Sequence, residues 1–204
     1  MRPVLLAASI VVFAVLTALA APARADGRFH PVPSSGKATT KLQLRVVAYD
    51  GATNGALTVE VKNPTKATLA FSASGLYFVP DGDPDQAPQR LGAVGPMQIA
   101  EGDAIERKDS VEVAAGATVR VTLDVFCIDS HRASPTSKTP FTIGKSRMPA
   151  QLTATIAKDS ATAAAEVGGY AAPAAKAKVQ ETVWKARDAK WIRLDGEGVQ
   201  EAVK

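Results

Sequence analysis

Alternation of apolar and polar residues is clearest between residues 117 and 131, which read ATVRVTLDVFCIDSH. Every second position there is apolar: Val119, Val121, Leu123, Val125 and Cys127. This period of two is typical of a β-strand with one face in the protein core. Burial of four aliphatic side chains contributes roughly 6 to 12 kcal/mol, at about 1.5 to 3 for each. We therefore expect a central strand with Cys127 pointing inward.

Similar alternation predicts further short strands before this one. They are KLQLRVVAY from residue 41, ALTVEVKN from residue 56, TLAFSA from residue 68, GLYFVP from residue 75, and two more between residues 104 and 113. Residues 82–95 contain proline and glycine and predict a long loop. About seven short strands separated by turns favour a mainly β protein. We expect an Ig-like, two-sheet antiparallel sandwich over residues 41–130.

The apolar period changes after the cysteine, so residues 131–204 predict a loop followed by a C-terminal α-helical appendage. Apolar residues near helical spacing predict one helix between residues 149 and 165, and Pro173 suits the first turn of a second. In that second helix Gln180, Trp184 and Trp191 repeat at helical intervals. Two tryptophans bury on the order of 150 to 250 Å² each, so this face is expected to pack on the sandwich beside Cys127.

The N-terminus carries a targeting signal. Arg2 precedes a long apolar run, and Ala-Arg-Ala at residues 23–25 forms a small-x-small cleavage site before Asp26. This order is typical of a secretory signal peptide over residues 1–25. Residues 26–40 are rich in Pro, Ser, Gly and Thr and predict a linker. The mature chain is thus expected to be secreted or periplasmic, with no membrane span after signal cleavage.

Charge and cysteine content narrow the function classes. The chain has 24 basic and 20 acidic residues, and removal of Arg2 and Arg24 leaves 22 against 20, a net charge near +2. That balance argues against nucleic acid as a partner. A single cysteine excludes an internal disulfide, which is unusual in an oxidising compartment. The thiol must then be buried, capped, metal-bound or paired with another chain.

Four short motifs carry a resemblance to known proteins: NPT at residue 63, GLYFVP at residue 75, FCID at residue 126 and VQETVW at residue 179. Together they resemble an uncharacterised group of secreted bacterial proteins with an Ig-like domain, a single cysteine after the last strand, and a QxxVW helix. The resemblance covers about residues 40 to 192. It implies architecture and brings no activity, cofactor or ligand with it.

A second, weaker resemblance concerns Cys127 and Gln180. A cysteine after an apolar residue and a later glutamine are similar to the thioester-forming domains of bacterial surface adhesins, in which a Cys thiol condenses with a Gln amide. That resemblance implies Cys127 as nucleophile and Gln180 as acyl donor, a candidate reactive pair.

Two other chemistries use residues near the strand end. Cys127 and His131 could form the nucleophile and base of a cysteine hydrolase, although no third orienting residue or oxyanion hole is marked. The same two residues with Met148 are soft ligand types for Cu(I), but they form no repeated motif, so no metal site and no cofactor is predicted. The simplest interpretation makes Cys127 a small buried hydrophobe, with His131 in a surface or packing role.

These observations favour a non-enzymatic binding or structural module of the bacterial envelope. Its partner would be an unknown protein or envelope component. A covalent thioester adhesin is the alternative, and a cysteine hydrolase comes third.

Overall fold

The computed structural model of this chain describes residues 27–34, 39–52, 55–83, 86–101, 104–170 and 172–189. The protein is mainly β, with antiparallel sheets and two C-terminal helices, which confirms the coarse prediction of fold class. The predicted signal peptide and Trp191 lie outside the described residues. None of the described helices is long and apolar enough to cross a membrane.

The described residues form ten strands and two helices. They are β1 (His30–Pro33), β2 (Thr39–Tyr49), β3 (Ala56–Lys62), β4 (Leu69–Phe71), β5 (Tyr77–Pro80), β6 (Leu91–Glu101), β7 (Ala104–Lys108), β8 (Val111–Val113), β9 (Thr118–Cys127), β10 (Phe141–Ile143), α1 (Ala150–Ala165) and α2 (Pro173–Ala189).

One sheet contains eight of these strands, in the order β1-β2-β3-β9-β6-β5-β10, with β7 paired to β6. A second sheet consists of β4 and β8 alone. The large sheet curls into a near-barrel, since the rings of Tyr49 at the end of β2 and Phe141 in β10 meet edge to face with centroids 5.4 Å apart. The predicted Ig-like arrangement of two facing sheets is therefore not confirmed.

Strand β9 lies in the middle of this sheet, as its alternation predicted. It pairs antiparallel with β3 on one side and β6 on the other, so that Leu123 lies opposite both Leu57 and Met97. Its inward side chains join the main core inside the curl, and Phe71 and Val113 of the small sheet complete that core. The alternation is clear in the first half of β9 because only its inward face is buried there, whereas both faces are buried near Cys127.

The two helices cover part of the outer surface of the sheet. Phe126 and Ile128 point away from the main core and pack against apolar side chains of α1 and α2, such as Ile156 and Val179. Pro149 and Pro173 stand at the two helix starts, where a missing backbone N–H is tolerated. Because the helices cover this surface, Phe126 is buried as completely as the inward residues of β9.

Two strands, β1 and β6, lie where other structure was predicted, and a third, β10, is the short strand at residues 141–143 that the sequence allowed within the appendage. Strand β1 forms within the predicted linker and pairs with β2; its prolines suit an edge strand. Strand β6 begins at Leu91, inside the predicted long loop, and β10 belongs to the sheet although it falls in the predicted appendage. The alternation of apolar and polar residues is weak in β6 because helices cover one of its faces, and it is weak in β10 because that strand has only three residues.

Candidate functional site

The most distinctive polar contact in the protein joins α2 to the end of β9. Gln180 is 4% exposed, and its Oε1 accepts a hydrogen bond from the Cys127 N–H at 2.9 Å. Its Nε2 donates to the Cys127 carbonyl oxygen at 2.7 Å. One side-chain amide thus satisfies both backbone groups of one residue. The structure brings together the two residues of the predicted reactive pair, but through the backbone of Cys127.

The sheet explains why this position needs a partner. Strand β3 begins at Ala56, opposite Asp124, and the last bond on this side runs from the Val125 N–H to the Gly55 carbonyl. In an antiparallel pair, alternate residues direct their backbone groups to the same neighbour, so those of Cys127 project past the start of β3. A buried N–H or C=O without a partner costs about 1 to 3 kcal/mol. The Gln180 amide therefore takes the place of a strand.

The same face of α2 continues along the end of the sheet. One turn beyond Gln180, the half-buried Trp184 packs against the main core, and its Nε1 donates to Oε1 of Gln89 at 3.3 Å. Two turns beyond, Arg187 is fully buried. The second helix is thus fastened by a row of polar and aromatic contacts, which we call the α2 clasp: Gln180, Trp184 and Arg187.

The last residue of the α2 clasp, Arg187, lies beside a buried carboxylate. Asp129 is fully buried and accepts hydrogen bonds from Nε and Nη2 of Arg90, both at 2.8 Å, and from the Arg90 backbone N–H at 3.1 Å. Nη2 of Arg187 lies 3.8 Å from the same carboxylate. Burial alone would raise the pKa of Asp129, but the hydrogen bonds and charge of Arg90 outweigh it, so the pKa is lowered. Asp129 therefore stays ionised and binds both arginines.

The thiol of Cys127 lies on the other side of the strand, in the main core. Burial, with a smaller effect from the negative charge of Asp129, raises its pKa to about 12. Burial also raises the pKa of Tyr49, and the neighbouring thiol contributes to that shift. At neutral pH the side chain of Cys127 is thus a protonated, apolar group rather than a thiolate.

The other predicted site residues lie apart. His131 is exposed, whereas the Cys127 thiol is fully buried. Met148 packs in the helix-side cluster, while Cys127 belongs to the main core. Among the described residues, no group of three or more His, Cys, Asp or Glu side chains could hold a metal ion.

Sequence reasoning missed a second buried carboxylate, on the outer side of β9. Asp124 accepts a hydrogen bond from Nε2 of Gln98 at 2.7 Å, and lies 3.4 Å from Nη2 of Arg107 and 3.7 Å from Nζ of Lys176. Strand alternation placed Asp124 on a solvent-facing side, but the β6–β7 hairpin and α2 cover that position. Local periodicity carries no signal for such coverage by distant elements.

Comparison with known proteins found no matching family model and no matching curated sequence. The role of Cys127 and Gln180 must therefore follow from their own contacts. The amide of Gln180 is occupied at both ends, and the thiol is neutral and buried. This arrangement can hold a helix on a sheet.

Proposed function

We propose that this protein is a secreted, non-enzymatic binding or structural module of the bacterial envelope. The observation that carries the proposal is the bonding of the Gln180 amide to both backbone groups of Cys127. The only cysteine of the chain and its nearest polar partner are thereby used to join α2 to the sheet. Kinship with Ig-like modules belongs to the same proposal and is supported by the antiparallel pairing of its short strands.

The state of the thiol supports a structural role. Nucleophilic catalysis by cysteine needs a thiolate, which a neighbouring base or positive charge normally provides. Here burial and the charge of Asp129 act in the opposite direction and raise the pKa of Cys127 to about 12. A hydrolase built on Cys127 and His131 would need the buried thiol to meet an exposed imidazole.

One observation favours a second candidate, the covalent thioester adhesin. The Gln180 amide lies within hydrogen-bond distance of Cys127, although the two residues are 53 positions apart in the chain. In thioester formation the Cys127 sulfur would attack the Gln180 side-chain carbonyl carbon, the carbon–nitrogen bond would break, and ammonia would leave with the thiol proton. The product would lack one ammonia relative to the plain sequence.

Intact-mass measurement and thiol labelling of the secreted protein separate these functions. We expect the plain sequence mass and a thiol that reacts only after denaturation. A mass short by one ammonia would establish the thioester, and a doubled mass lost on reduction would show pairing between chains. The Cys127→Ser variant is the control for both readouts. A thiol that reacts rapidly in the native protein would contradict the proposal, and loss of that reactivity in His131→Ala would favour the hydrolase.

Export is tested separately. N-terminal sequencing of the protein recovered from the producing bacterium should begin at Asp26, because cleavage after Ala25 follows the small-x-small rule. Fractionation should place this mature chain in the periplasm or the medium. A cytoplasmic protein that retains residues 1–25 would contradict the envelope location.

A further inference from the structure

The outer surface of the large sheet is divided into two parts. Where Phe126 and Ile128 point outward, the two helices cover it. On β2, β3 and the first half of β9 the outward side chains are mostly polar, with Ala48 and Ala56 as the exceptions, and we call the polar part the open sheet face. Its residues are Lys41, Gln43, Arg45, Thr58, Glu60, Lys62, Thr118, Arg120 and Thr122.

The open sheet face carries the positive excess of the mature chain. It has four cationic side chains, Lys41, Arg45, Lys62 and Arg120, and one carboxylate, Glu60, a net charge of +3. The mature chain, with 22 basic and 20 acidic residues, has a net charge near +2, so everything outside this face sums to about −1. A surplus concentrated on one face attracts anions to that face.

The single carboxylate positions the cations. Glu60 accepts from Nε of Arg45 at 2.8 Å and from Nη2 of Arg120 at 2.6 Å, and these hydrogen bonds, that from Arg120 foremost, lower the pKa of Glu60. The Arg120 side chain nevertheless remains 64% exposed. At the edge of the face, the ring of Phe29 lies 4.8 Å from the Arg45 guanidinium carbon and 5.6 Å from Nζ of Lys62. These contacts orient the cations before any ligand arrives.

Hydroxyl and amide groups lie between the charges. Thr58 is directly opposite Thr122, and Lys62 has Gln43 on one neighbouring strand and Thr118 on the other. Adjacent strands are about 4.8 Å apart, so cations and neutral hydrogen-bonding groups alternate at close spacing on the outer surface of the curled sheet. A ligand that suits this surface carries both acidic groups and hydroxyls at similarly short intervals.

We propose that the open sheet face binds an anionic polysaccharide whose sugars carry carboxylates. This inference rests on the proposed function and names its partner chemistry. Arginine binds carboxylates through paired N–H donors, and threonine and glutamine can bond sugar hydroxyls. Insertion into a lipid surface requires a cluster of exposed apolar side chains. The nine residues of the open sheet face are all polar, the ring of Phe29 at its edge lies against Arg45 and Lys62, and the exposed Ile105 lies on β7, two strands away from β9. Duplex DNA is less suited, because its binding depends on many phosphate contacts.

Binding is tested with the mature chain and sodium polygalacturonate as probe, with neutral dextran as the matched uncharged polymer. The wild-type protein should bind polygalacturonate, more weakly as salt increases, and should not bind dextran. The double variant Lys62→Gln/Arg120→Gln should lose about tenfold in affinity. The double variant Lys158→Gln/Lys185→Gln on the exposed helix surfaces changes net charge equally and should lose less than about twofold.

Lys41→Gln removes an exposed charge at the start of the face without touching Glu60, and should weaken binding by about threefold. Urea melts of each variant separate lost binding from lost folding. The proposal is overturned if wild-type protein does not bind polygalacturonate, if both double variants lose affinity equally, or if phosphatidylglycerol vesicles or duplex DNA bind as tightly. If the protein does not bind polygalacturonate but is exported and keeps its thiol unreactive, only this inference fails and the proposed function remains. If the thiol reacts in the native protein, the proposed function fails, whether or not polygalacturonate binds.

Discussion

The α2 clasp can be tested most directly by the substitution Gln180→Ala. This change removes one acceptor and one donor that bond the backbone of Cys127 at 2.9 and 2.7 Å. It leaves the helix backbone intact, because alanine has the highest helix propensity. The cost should therefore come from the lost contacts and not from the helix itself.

The magnitude follows from burial. Each of the two hydrogen bonds contributes about 0.5 to 1.5 kcal/mol net, and a buried backbone group left without a partner costs about 1 to 3 kcal/mol. Both Cys127 and Gln180 are almost completely buried, so water replaces the amide poorly. We expect the free energy of unfolding to fall by about 2 to 5 kcal/mol, a large fraction of the stability of an ordinary domain.

Urea denaturation followed by circular dichroism measures this loss. Gln151 lies exposed in the first turn of α1, so Gln151→Ala is a matched control that should change stability by less than about 0.5 kcal/mol. Gln180→Glu gives a second comparison. A glutamate can accept from the Cys127 N–H but, when ionised, cannot donate to its carbonyl, so this variant should also be destabilised.

Labelling of the Cys127 thiol provides an independent readout. If the clasp holds α2 over the end of β9, the thiol in Gln180→Ala should react faster under native conditions than in wild type, through easier local opening. A Gln180→Ala protein that melts within about 0.5 kcal/mol of wild type would refute the reasoning. So would an unchanged labelling rate, because the amide would then contribute nothing to the joint.

Three further predictions concern the core and the buried ionisable groups. Leu123→Ala should cost about 2 to 5 kcal/mol in urea melts because it leaves a cavity under the central strand, and a surface-like change below about 0.5 would contradict that. The lowered pKa of Asp129 gives stability that is present above its unfolded pKa, near 3.9, and lost as pH falls further; Asp129→Asn should flatten this acid limb of the stability–pH curve. The pKa of Cys127, raised from 9.0 to about 12, gives stability that is complete below pH 9.0 and lost between there and about 12, so the alkaline limb should be shallower in Cys127→Ser.

Much of the architecture could be predicted from local sequence pattern. Alternation over β9 identified a central strand with Cys127 inward, because a strand covered by core on one side must place an apolar group at every second position. The helical period after Pro173 likewise predicted that Gln180 and Trp184 share one face. These inferences depend only on neighbours a few positions apart, which the sequence displays directly.

The tertiary structure decided which strands pair and how the sheet closes. No local pattern distinguishes two facing sheets from one curled sheet, since both bury one face of each strand. Coverage by distant elements also buried Asp124, which strand alternation alone assigns to solvent. The same reason explains β1 and β10, whose pairing depends on partners and not on their few residues.

The chemistry of the candidate site was divided in the same way. The sequence by itself determined which groups are available: a single cysteine, a glutamine on a helix face and a small excess of positive charge. Only the fold decided that the amide bonds the backbone of Cys127 while the thiol enters the core, because the start of β3 leaves those backbone groups unpaired. Only the fold, too, gathered the surplus charge on one sheet face, since Lys41, Lys62 and Arg120 become neighbours through strand pairing alone.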